Sequence, residues 1–251
     1  MGFEWNPNLE AKALHLKVNE NKTYQAIADE LGTTLSSAKH KIRRLQQKSN
    51  LDKYKHTFEK STQLLPFLKN QSDLNILETH AGFGAMTEFY SLFGQVTSLE
   101  LKQERVEAIN ALGIKQVRAV KCDSEHEVFR LIYAKEKFDV IDVDPYGYPS
   151  RLFPHIFKLI DDGHVVITLP MIGVAQMNKL TIAHLKVFWG VDYRNKSQYI
   201  DRFIARLTDY AFMNKHKLTP VSVERFDRIY RLVFKTKRTS LNDIVGLKVN
   251  R

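Results

Sequence analysis

Between residues 73 and 240 short β-type apolar runs alternate with amphipathic stretches, and this alternation constrains the fold more than any other feature. The strand candidates are LNILETH, QVTSLEL, QVRAVKC, KFDVIDVD and GHVVITLP. Between them fall TEFYSLF, KQERVEAINALG, SEHEVFRLIYAK and SRLFPHIFKLID, whose apolar residues recur at helical spacing. Strands that alternate with helices build a mainly parallel sheet covered on both faces. Further on, KSQYIDRFIARLTDYAFMNKHK predicts a long helix, and PVSVERFD with RIYRLVFKTKR predicts a closing antiparallel pair. The expected class is α/β.

A different pattern precedes the sheet. Residues 1–50 read as a small all-α module with a helix-turn-helix. Thr23 can cap a helix whose inner face holds Ala26, Ile27 and Leu31, and Gly32 can end it in the left-handed conformation. Thr33 or Thr34 then opens a second helix with Leu35, Ala38, Ile42 and Leu45 at helical spacing. Its other faces carry Ser36, Ser37, Lys39, His40, Lys41, Arg43 and Arg44. Hydroxyl and basic side chains on a second helix suit contacts to a nucleic-acid backbone and groove; packing or dimerisation is the other use of such a helix. The segment resembles the helix-turn-helix modules of sigma factors and phage regulators, which implies a DNA-binding role and is compatible with a homodimer. Residues 51–72 read as a connecting helix that Pro66 ends or kinks. Residues 73–240 form the sheet domain and 241–251 a C-terminal tail.

Composition narrows the function classes. The net charge of +10 over 251 residues favours a polyanionic partner, because a cation beside a phosphate releases counterions. Arg225, Arg228, Arg231, Lys235, Lys237 and Arg238 can extend such a surface, or alternate ones can face solvent on a strand. No run approaches the roughly 20 apolar residues of a membrane span. The start of the chain lacks a signal-peptide pattern and Cys122 is the single cysteine, so a soluble cytoplasmic protein is expected. There is no GxxxxGK[ST] phosphate loop and no CxxC pair. His80, His126 and His155 lack metal-ligand spacing, so no metal is expected.

The chemistry gathers where strands end. The first strand leads into ETHAGFG, which places Glu78, Ala81, Gly82 and Gly84 at a bend where glycine lets the backbone approach a ligand. The second strand ends at Glu100, where an acid can accept hydrogen bonds from ribose hydroxyls. The third ends at Cys122 and Asp123, and Asp123 suits either an adenine amino group or a helix cap. The fourth opens into Asp142, Val143, Asp144, Pro145, Tyr146 and Gly147. Ligands of open α/β sheets bind at such carboxyl ends. Turn glycines and solvated strand ends are the plainer readings of the same residues.

In this order, AGFG, Glu100, Asp123 and DPYG resemble the motifs of the class I S-adenosyl-L-methionine-dependent methyltransferases. The resemblance implies a Rossmann-like sheet, that cofactor, and a methyl-transfer activity. FDVIDVDPYGYPSRLF is similar to the matching segment of tRNA guanine-26 N2-methyltransferases and, less closely, to the DPPY-type loops of adenine-N6 and cytosine-N4 DNA methyltransferases. It implies that Asp144 and the Pro145 carbonyl orient an exocyclic amine, that Tyr146 stacks on the base and that Gly147 permits the turn. Glu78, Ala81, Gly82, Gly84, Glu100 and Asp123 would then hold the cofactor. The helix-turn-helix tilts the substrate to DNA over tRNA. A DNA-binding regulator on an inactive methyltransferase scaffold is the non-enzymatic alternative.

Overall fold

The structure is a computed structural model that describes residues 22–48, 56–145, 151–170, 199–226 and 229–239, together with Phe3, Trp5, Leu9, Lys12, Ala13, Leu16, Lys17 and Glu20; for 44–48 it describes the backbone alone. The chain divides into two compact units, Met1–Lys55 and His56–Arg251. Arg44 and Leu45 as side chains, Tyr146, Gly147, Arg228 and the 241–251 tail lie outside the described residues.

In the first unit, α1 (Tyr24–Leu31) and α2 (Leu35–Lys48) follow one another. Thr23 caps α1 by accepting from the Ala26 amide at 3.2 Å, and Gly32 ends it at φ 67°. Thr34 accepts from the Ser37 amide at 3.2 Å and so opens α2. Ile27, Ala28, Leu31, Ala38 and Ile42 are buried with Ala13 and Leu16. Ala26 and Leu35, expected on the inner face, are exposed. Ile27, Ala28 and Leu31 already fill the inward arc of α1, and Ala26 lies about a quarter-turn outside it.

The second unit opens with α3 (Thr57–Leu68). Pro66 lies inside this helix, which runs two residues beyond it. Pro66 has no N–H to offer the Thr62 carbonyl four residues before it, and the helix ends soon after it. The sheet follows, with β1 (Leu74–Glu78), β2 (Gly94–Glu100), β3 (Val117–Lys121), β4 (Phe138–Val143), β5 (Ile160–Pro170), β6 (His216–Phe226) and β7 (Ile229–Arg238). The helices between are α4 (Ala85–Tyr90), α5 (Gln103–Asn110), α6 (Ser124–Tyr133), α7 (Phe153–Ile156) and α8 (Tyr199–Met213). The helix expected in SRLFPHIFKLID is a single turn, α7, with Pro154 near its start.

Among the described residues the strands form one sheet in the order β3-β2-β1-β4-β5-β7-β6. β1 to β5 are parallel, and β7 inserts antiparallel between β5 and β6. The two sheet faces carry separate cores. Ile76, Val96, Val140, Val166 and Val233 pack with Leu64 and Leu68 of α3 and with Met86 and Tyr90 of α4. Leu77, Leu99, Ile141, Val165, Ile167 and Phe234 pack with α6, α7 and α8 on the other. Burial of both faces explains why the central strands read as nearly continuous apolar runs.

Candidate functional site

The strand order reverses between β1 and β4. The chain runs outward from β1 to β2 and β3, then returns to the far side of β1 with β4. A sheet of this kind opens a crevice at the carboxyl ends of the two strands flanking the reversal. Glu78 to Gly84 and Asp142 to Pro145 are therefore brought together. The two tips are tied, because the Thr79 amide donates to the Asp142 carbonyl at 2.9 Å and the Thr79 hydroxyl donates to it at 3.2 Å.

The bend after β1 is fastened to β2. The Ala81 amide donates to the Leu99 carbonyl at 3.0 Å, and the Gly82 amide donates to Glu100 Oε2 at 3.0 Å. Glu100 Oε1 accepts from the Lys102 amide at 3.0 Å. Glu100 Oε2 also accepts from Arg105 at 3.5 Å, so Oε1 is the oxygen with a further lone pair for a ligand hydroxyl. Gly82 and Gly84 sit at φ 57° and 85°, where a side chain is strained. At Gly84 an added Cβ would also come within 3.0 Å of Ile109. Asp123 is exposed and caps α6 by accepting from the Glu125 amide at 2.8 Å.

Glu78 is buried and accepts from the Thr87 and Ser98 hydroxyls. Burial pushes its carboxyl up to about 8, so it is mainly protonated at neutral pH. His80 bonds Thr79 through Nδ1 and lies within the field of Asp144, Glu100, Asp142 and Asp123. Burial outweighs those carboxylates and lowers its pKa, which leaves the ring neutral. Cys122 is pushed up to about 11, chiefly by burial, so it is a thiol rather than a nucleophilic thiolate.

Asp142 and Asp144 are two residues apart and therefore share a sheet face with Val140. Their surroundings differ. Asp142 is fully buried, accepts from the Tyr90 hydroxyl at 2.6 Å and pairs with Arg231 at 2.7 Å. Asp144 stands at the strand end, partly exposed, and pairs with Lys60 of α3. Arg231 lies 3.7 Å from the same oxygen, Oδ2, and donates to Thr168, its cross-strand partner, at 2.7 Å. Burial alone would raise the Asp144 carboxyl, but Lys60 and Arg231 outweigh burial and hold it below the usual carboxylate range. Pro145 follows, half-buried.

Three of these residues escaped the sequence reading. Arg231, expected on a phosphate-binding surface, has no exposed side chain at all and is instead the counter-ion of Asp142. Its signal was present: an arginine one strand period from Val233, flanked by Tyr230 and Leu232, points inward. Arg238 pairs with Asp161 at 3.0 Å but stays exposed, as do Arg225, Lys235 and Lys237. Tyr90 and Lys60 gave no comparable signal. Their roles depend on how α4 and α3 pack on the sheet.

The candidate nucleic-acid residues belong to the first unit. Ser36, His40 and Arg43 are exposed along one face of α2, with Lys39 half-buried beside them. Ser37 accepts from the Trp5 indole N–H at 3.0 Å, so it turns to another face. Among the described residues no cluster of three or more His, Cys, Asp and Glu side chains is arranged to hold a metal ion, and no helix is long and apolar enough to cross a membrane.

No protein-family model and no curated protein matches the sequence. Solved structures do match. Trm1 from Pyrococcus horikoshii, solved in complex with S-adenosyl-L-methionine, is 14% identical over 73% of this chain and 55% of its own, with a TM-score of 0.56. A protein described as a SAM-dependent methyltransferase from Streptococcus mutans is 11% identical over 70% of this chain and 48% of its own, with a TM-score of 0.51. SMU.776, solved with SAH, covers the same share of its own length at 11% identity and a TM-score of 0.50. The chain thus spans about half the length of these proteins. At these identities the shared property is architecture: the sheet domain has the Rossmann-like class I methyltransferase fold, resembling that of Trm1.

Proposed function

We propose that this protein is an S-adenosyl-L-methionine-dependent methyltransferase acting on an exocyclic amine of a base in nucleic acid. The observation that carries the reading is Asp144, an ionised, partly exposed carboxylate followed by Pro145, at the β4 tip beside the β1–β2 bend. The residues present fit the cofactor. The Gly82 position is open, with nothing within 4 Å of an added Cβ, and Glu100 offers a carboxylate to a ribose. Asp123 stands at the third strand end for the adenine, and Glu78, Ala81 and Gly84 shape the bend. A neutral His80 and nearby carboxylates suit a positively charged ligand. When bound, the cofactor supplies an electrophilic methyl group.

The chain's own residues supply orientation. The lone pair of an exocyclic base amine is delocalised into the ring. Asp144 and the Pro145 carbonyl accept its two N–H hydrogens and turn that lone pair towards the cofactor side, which contributes through positioning. As the nitrogen gains a methyl group it sheds a proton, and Asp144 is the ionised group beside it. Tyr146 is the residue that would stack on the extruded base, with Gly147 beside it in the sequence. Ser36, Lys39, His40, Arg43 and Arg44 supply contacts to the nucleic-acid backbone and groove, while Ser37 holds Trp5. The helix pair supports DNA as the substrate, with N6 of adenine or N4 of cytosine as the target. The DPYG segment supports the second reading, N2 of guanine in tRNA.

The test incubates the protein with methyl-labelled S-adenosylmethionine and, in parallel, duplex DNA or unmodified tRNA, followed by nucleoside mass spectrometry. N6-methyladenine or N4-methylcytosine in DNA supports the first reading, and N2-methylguanine in tRNA the second. Asp144→Ala is expected to abolish turnover while cofactor affinity stays within a few fold. Cofactor binding without label in either nucleic acid would move the assignment to a regulator on an inactive scaffold.

A further inference from the structure

Lys60 lies on α3, outside the strand-end motifs, yet its ammonium pairs with Asp144 Oδ2. Both side chains are largely withdrawn from water, at 13% and 19% exposure, so the pair differs from a surface ion pair held loosely in solvent. The local charges show what it does. Arg231 is committed to Asp142 at 2.7 Å and reaches Asp144 only at 3.7 Å. One guanidinium therefore faces two carboxylates, and Lys60 supplies the second cation. Gln63, one turn along α3, donates to the Arg231 carbonyl at 3.0 Å and to Ser222 at 2.9 Å, which fixes the helix on β7 and β6. Leu64 and Leu68 bury its apolar side against the same sheet face.

We propose that Lys60 is a positioning residue for Asp144, fixing the carboxylate at the tip of β4 in the orientation that receives the target amine. This deepens the proposed function and rests on it. Lys60 works through Asp144 and transfers no proton itself. With Lys60 removed, Arg231 must serve both carboxylates, and Asp144 loses its nearest partner. Among the described residues, the charged and titratable groups around Asp144 are Lys60 from α3, Arg231 from β7, and Glu78 and His80 from the end of β1, with Asp142 two residues before it on β4. Lys60 is the one of these that a substitution on α3 removes without touching the sheet.

The experiment compares wild type, Lys60→Met and Lys60→Arg in the full chain. Carbon-13 NMR follows the side-chain carboxyl of Asp144 through a pH titration, with Asp144→Asn to assign the signal. Lys60→Met is expected to move the midpoint upward by about one to three pH units, the usual effect of one close opposite charge. Lys60→Arg should restore most of the shift. The acidic limb of the methyl-transfer rate should move in the same direction, with cofactor affinity and thermal melting near wild type. An unchanged Asp144 midpoint in folded Lys60→Met would overturn the proposal, whatever the activity. Absence of methyl transfer in the wild type would count against the proposed function alone, because the carboxyl titration needs no substrate.

Discussion

At the residue scale, burial separates the three acids of the central crevice. Glu78 has hydroxyl partners and, among the described residues, no cation paired with it, so burial dominates and its carboxyl rises to about 8. Asp142 is matched by Arg231 and Tyr90, and Asp144 by Lys60 with Arg231. The Glu78 shift makes stability depend on pH. Its folded pKa lies above the unfolded value of roughly 4.3. Its contribution is fully present below that unfolded value and is lost as pH rises through about 8. Glu78→Gln keeps a neutral side chain of the same shape and should not show this loss. Urea midpoints at pH 5 and pH 9, measured without cofactor, are expected to fall for the wild type and stay nearly level for the variant. Parallel curves for the two proteins would mean that Glu78 ionises normally.

At the element scale, the crevice depends on how closely β1 and β2 approach. Gly94 opens β2 opposite Leu74, and an added Cβ would lie 2.0 Å from the Leu74 carbonyl oxygen. That contact is with backbone, so no side-chain rotation relieves it. Gly94→Ala is expected to destabilise the protein by about 3 kcal/mol, the upper end of the usual overpacking cost. A chemical-denaturation midpoint close to wild type would show that the strands part freely here. Most of this level was legible beforehand. The apolar runs of β1 to β5 and the closing pair emerged from periodicity because parallel central strands are buried on both faces. The long helix of SRLFPHIFKLID did not form, since α7 is a single turn in the connection between β4 and β5 and the segment's last residues already belong to β5.

At the scale of the whole molecule, the net charge of +10 becomes informative once the internal cations are set aside. Arg231 and Lys60 neutralise carboxylates inside the sheet unit and are not part of a phosphate surface. Arg43 and His40 remain exposed on α2. If α2 contacts the phosphate backbone, Arg43→Ala should weaken nucleic-acid binding almost equally across sequences. The slope of log affinity against log salt should fall by about 1. Fluorescence anisotropy at several salt concentrations measures both, with cofactor affinity as the unaffected control. Unchanged affinity and slope would remove α2 from the interface.

The amino-acid sequence alone determined the α/β class, the positions of the strands and the acids and glycines at their tips. These are local properties, written in hydrophobic period and in the backbone demands of tight turns. Tertiary structure alone decided which of two neighbouring aspartates is structural. Asp142 and Asp144 have the same side chain, the same sheet face and a spacing of two, and nothing in DVD distinguishes them. Arg231, from a strand 89 residues later, claims Asp142, while Lys60, from a helix 84 residues earlier, reaches Asp144. The field at each carboxylate is set by charges brought close in space, and that closeness has no trace in local sequence.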